Sequence, residues 1–343
     1  VSTAWQRRLG TAALPRRISL PMSFVRAAFL LFVAACTRSG SPDATTFRVA
    51  LLTPGPISDR SWNASAYRGL ERIRDSLGAQ VSHVQVKTPA DFEENFRQYG
   101  SAGYSLVIGH GFEFQDAAAR VASDFPRTVF VTTGGETVRD NVAPLSFAFD
   151  EPSFLAGMVA AAASRTGRVA CVGGTELPPV KSSFAAFAAG ARLIRPTINV
   201  VTTFLGNWDD VSSGREQALA LKRTGVDVIF QNADAAGLGV FQAAREDGSL
   251  RVIGSNADQN DIAPQATLGS VVIDVPHAFL LVAREVKAGT FSPRVIRLTS
   301  RDDVVRWVPN PLLVDHLPAP MLMRIDSVAR LMRTGRFVAP FSK

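Results

Sequence analysis

The 343 residues, 46% hydrophobic and 20% charged, are more chain than one typical core holds; about two globular domains are expected, and a peptide hormone, a disordered tail or a disulfide miniprotein is excluded. Two cysteines, Cys36 and Cys171, can build neither a disulfide framework nor a thiolate zinc cluster. Of the formal charge of +7, residues 1–35 supply Arg7, Arg8, Arg16, Arg17 and Arg26 and no acid, so the remainder carries about +2, which gives no footprint for nucleic acid.

Residues 27–35 are uncharged, preceded by Arg26 and closed by small residues before Cys36. That is the plan of a secretory signal over residues 1–35, since a bilayer-spanning helix needs roughly 20 apolar residues. Val33-Ala34-Ala35-Cys36 resembles the bacterial lipobox, which implies a mature chain lipidated at Cys36; a plain cleaved signal is the alternative. Met22 offers a second start, which would leave residues 1–21 untranslated. Residues 36–46 form a polar tether rich in Ser, Pro and Gly.

Strand formers at 47–52 followed by helical spacing at 62–77 make a βα unit. Strands at 81–86, 105–108 and 128–132 alternate with helices near 91–99 and 113–123. A helical segment at 152–164 opens a second series, with strands at 168–172, 199–204, 227–230, 251–253 and 268–273. Helices near 182–194, 214–223, 236–246 and 277–288 separate them. Repeated βα units imply parallel sheets covered on both faces. The expectation is two α/β lobes around a cleft: 47–150 with a returning segment near 275–306, and 151–274 with a C-terminal segment near 307–343.

Ligands of open α/β sheets gather at the carboxyl ends of strands, where loops and helix N-termini offer oriented backbone donors. In Ser58-Asp59-Arg60-Ser61-Trp62-Asn63, Asp59 is an acceptor, Trp62 can stack on a ring and Asn63 can bond it. The competing use is structural, with Asp59 or Ser61 capping the helix and Trp62 filling a gap. Leu205-Gly206-Asn207-Trp208-Asp209-Asp210 places a second indole at the equivalent edge of the second lobe, so that two aromatic planes could sandwich a flat ligand. Such pairing is worth roughly 0.5–1.5 kcal/mol per aromatic pair beyond burial. Asn232 and Asp234, then Asn256 and Asp258, put amides and carboxylates directly after strands, suited to ligand hydroxyls, although capping competes for both aspartates.

His110 falls at a strand end and either lines the cleft or packs there; His83, His277 and His316 read as structural or exposed, and Cys171 as a core residue. No HExxH, P-loop or Gly-x-Ser-x-Gly pattern occurs. No catalytic residue, metal ligand set or cofactor is therefore assigned.

Taken in order, SDRSWNASAYRGL, VIGHGFEFQDAA, DEPSFLAGMVAA, VACVGG, FLGNWDD, TGVDVIFQNADAAGLGVFQAA, GSNADQN and LGSVV resemble the basic membrane protein family from 47 to 289, and more weakly to 340 through RLMRTGRFVAP. The resemblance implies a type I periplasmic-binding fold, two Rossmann-like parallel-sheet lobes closing on a ligand by hinge motion. It implies a lipid-anchored, extracytoplasmic substrate-binding protein of an ABC transporter, acting as a monomer with a permease and binding a nucleoside-like ligand. A surface sensor or interaction lipoprotein of the same fold is the alternative. By carry-over, Trp62 takes the place of the family's phenylalanine and Trp208 that of a second-lobe aromatic. Asn256 stands where an aspartate is usual, Ile273 where a lysine is usual, and Asp234-Ala235-Ala236-Gly237 where a Gly-Gly-Thr-Gly turn is usual. Thr133-Gly134-Gly135 occupies a strand end that commonly carries an aspartate, with Glu136 nearby as its substitute.

Overall fold

A computed structural model describes residues 46–313 and 317–339; the expected signal, Cys36, the tether up to residue 45 and His316 lie outside them. In the first lobe, β1 (Arg48–Thr53), β2 (Gln80–Gln85), β3 (Leu106–Gly109), β4 (Val129–Thr133) and β5 (Val142–Phe147) are joined through α1 (Trp62–Leu77), α2 (Pro89–Ser101) and α3 (Gln115–Val121). A late strand, β11 (Ile296–Leu298), completes a wholly parallel sheet of order β11-β5-β4-β3-β1-β2. Helix α4 (Asp150–Ala163) leads into the second lobe, where β6 (Arg168–Gly173), β7 (Asn199–Phe204), β8 (Val228–Asn232), β9 (Arg251–Asn256) and β10 (Thr267–Ile273) alternate with α5 (Pro178–Ile194), α6 (Val211–Arg223) and α7 (Asp234–Asp247). Here β12 (Val305–Pro309) pairs antiparallel with β10 at the edge, in the order β12-β10-β9-β8-β6-β7.

The chain crosses between lobes after β5, again through α8 (Val275–Ala288) and finally between β11 and β12. The last return comes at Val305, slightly before the boundary expected near 307. One apolar cluster runs through both lobes, from Leu51, Ile108 and Val131 across Phe154 and Met158 of α4 to Cys171, Phe230 and Ile253. Burial pushes the Cys171 thiol up, so it stays protonated as a core group. Helices α4 and α5 touch backbone to backbone: a β-carbon at Gly157 would strike the Phe187 carbonyl, and one at Gly190 the Phe154 carbonyl.

Strands β5, β11 and β12 and the last helix, α9 (Ala319–Arg333), are absent from the expected elements. Pro144 argues against a strand within β5, yet its missing N–H costs nothing there. Asn141 and Leu145 turn their carbonyls to β4, so Pro144 faces β11, whose pairing begins only at Leu145. Among the described residues no helix is long and apolar enough to cross a membrane, and no group of His, Cys, Asp or Glu is placed to hold a metal ion.

Candidate functional site

The loop from β1 to α1 is organised by Asp59, which is buried. Its Oδ1 accepts the N–H groups of Ser61 and Ala64, both at 2.9 Å, and its Oδ2 accepts the Asn63 N–H at 2.7 Å and Asn63 Nδ2 at 2.8 Å. These are the orphan donors of the start of α1, so capping is what Asp59 does. The same bond fixes the Asn63 carboxamide, whose Oδ1 is buried without a partner.

Trp62, in the first turn of α1, stacks on His110 with centroids 3.9 Å apart and planes 24° apart, and meets Phe147 edge-on at 6.2 Å. His110 is wholly buried at the end of β3. Its Nε2 lies 3.1 Å from the Trp62 carbonyl, which can only accept, so Nε2 carries the proton and Nδ1 accepts from the Thr133 hydroxyl at 3.1 Å. Burial pushes the ring down to about 3 against a smaller upward pull from the Trp62 carbonyl. The neutral imidazole is thus the backing of the indole.

In the second lobe, Asn232 ends β8, Asp234 opens α7 and Asn256 ends β9. Asn256 Nδ2 donates toward Asn232 Oδ1 and Asp234 Oδ1, each at 3.2 Å. Into this set comes Ser61 of the first lobe: its hydroxyl is shared between Asp234 Oδ1 and the Ser255 carbonyl at 3.3 Å each, and it accepts from Asn256 Nδ2 at 3.3 Å. Beside it, the Arg60 carbonyl accepts from Gln259 Nε2 at 3.2 Å and the Arg60 guanidinium pairs with Asp261 at 2.6 Å. Arg60, Asp234 and Asn256 all have φ between +48° and +65°. Left-handed backbone in non-glycine residues thus concentrates where the lobes meet.

Burial pushes the Asp234 carboxyl well up, helped by the negative charges of Asp59 and Glu113 and opposed by hydrogen bonds from Ser61 and Asn256. Glu113, in the turn after β3, is also pushed up by burial. The Trp208 ring lies over Gly174, where a β-carbon would overlap it, and its carbonyl accepts the Ala236 N–H at 2.9 Å. Both Trp62 and Trp208 are half-buried against the shared core cluster, one on each lobe.

Two expected members do not join this cluster. The Glu136 side chain is exposed; Gly134 and Gly135, at φ 94° and 90°, turn the chain away after β4, and only the Glu136 N–H is engaged, with Gln115 Oε1 at 3.4 Å. Asp258 is exposed and accepts the Asn260 N–H at 3.0 Å, a local turn bond. Conversely, Ser61 was read only as a cap, and Glu113 was passed over although it stands three residues after His110 in the HGFEF turn.

Two parallel-sheet lobes joined by three crossings, with aromatic and polar groups meeting at their strand ends, define a hinged binding protein for small solutes. Residues 46–320 match the family described as ABC transporter substrate-binding protein PnrA-like, Bmp. The chain belongs to that family: it is an extracytoplasmic solute-binding protein of the ABC-transporter type, partnered by a small-molecule ligand and a permease, and is not an enzyme. Basic membrane protein A2 of Borrelia garinii is 26% identical over 90% of this chain and 93% of its own. The ABC transporter nucleoside-binding protein BmpA of Lactococcus lactis is 31% identical over 63% of this chain and 65% of its own. The transcriptional activator protein med of Bacillus subtilis is 30% identical over 71% and 76%. A solute-binding protein of an ABC transporter system from Aeropyrum pernix shares the fold, with a TM-score of 0.79 at 21% identity over 86% of this chain and 94% of its own.

Proposed function

We propose that this protein is anchored to the membrane by lipid at Cys36 and, as a monomer, captures a ring-bearing ligand of the nucleoside class for its permease. The observation that carries the reading is the indole of Trp62, held rigid by His110 on one face, with Trp208 at the matching strand end of the other lobe. A flat ring stacked there gains buried area and aromatic geometry, and Asn63, Asn232 and Asn256 supply donors and acceptors for its polar substituents. The similarity to the nucleoside-binding BmpA supports the ligand class.

Binding to the folded state stabilises it as RT ln(1 + [L]/Kd), so a thermal-shift screen of nucleosides, bases and sugars, followed by calorimetry, tests the reading. Trp62→Ala and Trp208→Ala are each expected to weaken binding by more than about tenfold, the usual cost of losing a buried aromatic anchor. No response to any nucleoside removes that ligand class, and unchanged affinity in both variants moves the site elsewhere. Cys36→Ala is expected to release the protein from the membrane fraction. The similarity to med favours a second reading, a sensor that kept the clamp and lost transport; a gene for a sensor kinase beside this one, in place of genes for a permease and an ATPase, would favour that one.

A further inference from the structure

We propose that Gln259 is the positioning residue that couples closure of the lobes to the conformation of the Trp62 loop: a rigid donor of the second lobe that clasps the Arg60 carbonyl of the first. Its bearing on capture rests on the function proposed above, in which Trp62 meets the ligand.

Gln259 stands between β9 and β10 and is wholly buried, as is Gln231 in β8. Backbone donors fix which way both carboxamides point. The Ala233 N–H can only donate, so the Gln231 atom 3.1 Å away is Oε1 and its amide nitrogen faces Gln259. That nitrogen donates to Gln259 Oε1 at 2.7 Å, and the Ser255 N–H donates to the same oxygen at 3.0 Å. Gln259 Nε2 is thereby turned to the first lobe, where the Arg60 carbonyl, able only to accept, lies at 3.2 Å. The Gln259 N–H is itself tied to Ser270 Oγ at 3.0 Å. A β-carbon at Gly237 would overlap Gln231 Oε1, and one at Gly254 would come within 2.8 Å of Gln259 Oε1, so both amides lie in slots that glycine leaves open.

What this donor grips is the backbone of the loop, one residue before Ser61 and two before Trp62. Arg60 has φ of 55°, a left-handed conformation that an arginine keeps only where its surroundings hold it. The adjoining contacts are softer: the Ser61 hydroxyl is shared at 3.3 Å between two acceptors, and the Arg60–Asp261 pair has side chains 53% and 70% exposed. A buried carboxamide already oriented by its own lobe loses little freedom in bonding the other. Separation of the lobes takes that bond from the Arg60 carbonyl. Closure therefore fixes the loop that carries Trp62, and opening releases it.

Amide hydrogen exchange, read as protection factors over residues 54–64, tests the clasp without any ligand. Gln259→Glu keeps an oxygen for the Ser255 N–H and the Gln231 amide and loses only the donor, whereas Gln259→Met loses both. At pH 8 each is expected to lower protection of this first-lobe loop by at least about fivefold, the scale of one net hydrogen bond. At pH 5, Gln259→Glu is expected to recover toward wild type measured at the same pH, because a protonated carboxyl again donates to the Arg60 carbonyl, while Gln259→Met stays low. Asp261→Asn, which removes only the exposed ion pair, is expected to cost the loop less protection than either. A merely structural Gln259 would loosen the second lobe around it and leave 54–64 as in wild type. Loop protection unchanged in both Gln259 variants at pH 8, or a loss in Gln259→Glu as deep at pH 5 as at pH 8, overturns the inference, as does a larger loss in Asp261→Asn. Failure of nucleosides to bind leaves the clasp standing, and failure of the clasp leaves the nucleoside reading standing.

Discussion

Acidification should weaken the fold through His110, and the size of the effect follows from its burial. The ring is held down to about 3 from an ordinary 6.5, so between those values the unfolded chain takes up a proton that the native state refuses. Stability from this group is complete above about pH 6.5 and is lost as pH falls toward 3. At pH 5 the loss is about 1.5 pH units at about 1.36 kcal/mol each, or roughly 2 kcal/mol. Asp234 and Glu113 act in the opposite sense: their raised values mean that the native state keeps protons the unfolded chain has shed, so their contribution falls as pH rises above the ordinary carboxylate range. The whole-protein profile mixes the two slopes, and His110→Gln separates them. Urea unfolding at pH 7.5 should show the variant less stable, having lost the stack under Trp62. At pH 5 the gap between the two proteins should narrow by about 2 kcal/mol, because only the wild type pays for the imidazole. A gap of equal size at both pH values would refute the account of a buried neutral His110.

Gly174→Ala should mimic Trp208→Ala in calorimetry, since any β-carbon there displaces the indole, while denaturation shows an overpacking cost of roughly 1–3 kcal/mol. Gly157→Ala should lower the unfolding midpoint by a similar or larger amount without touching the ligand contacts, because the obstacle is the Phe187 backbone carbonyl, which cannot rotate aside. Ser61→Ala removes a hydroxyl that meets Asp234, Ser255 and Asn256; small-angle scattering of the unliganded variant should show a larger radius of gyration than wild type, and an unchanged radius would mean that Ser61 does not hold the lobes together.

The βα alternation could be read from the sequence because the inner strands are buried on both faces and appear as short apolar runs, as in Val49–Leu52 within β1 and Val228–Phe230 within β8. The elements that escaped lack that pattern: β5 is broken by Pro144, β11 is three residues long, and the antiparallel β12 at the sheet edge buries only Val305 fully. At the site, the rule that ligands meet strand ends drew attention to Trp62, Asn63, Asn232, Asp234 and Asn256. It also drew attention to Glu136 and Asp258, because local sequence does not say whether a side chain after a strand turns into the cleft or out to water. Ser61 was missed for the converse reason, since its side-chain contacts are with the other lobe.

The backbone at the junction says how such a clamp stays poised. A non-glycine residue in the left-handed region costs on the order of 1–3 kcal/mol unless its surroundings hold it there, with aspartate and asparagine at the low end. Arg60 from one lobe and Asp234 and Asn256 from the other share that conformation at a single contact. What holds them is a hydroxyl divided between two acceptors at 3.3 Å each, the bonds of Asn256 Nδ2 at 3.2 and 3.3 Å, the bond of Gln259 Nε2 to the Arg60 carbonyl at 3.2 Å, and an ion pair in open water worth about 0–1 kcal/mol. Local strain works against the contact, while these polar bonds draw the lobes together. An occupant of the cleft shifts such a contact toward closure by as much as its bonds favour the closed arrangement over the open one, which is what a protein that must both seize and release its cargo requires.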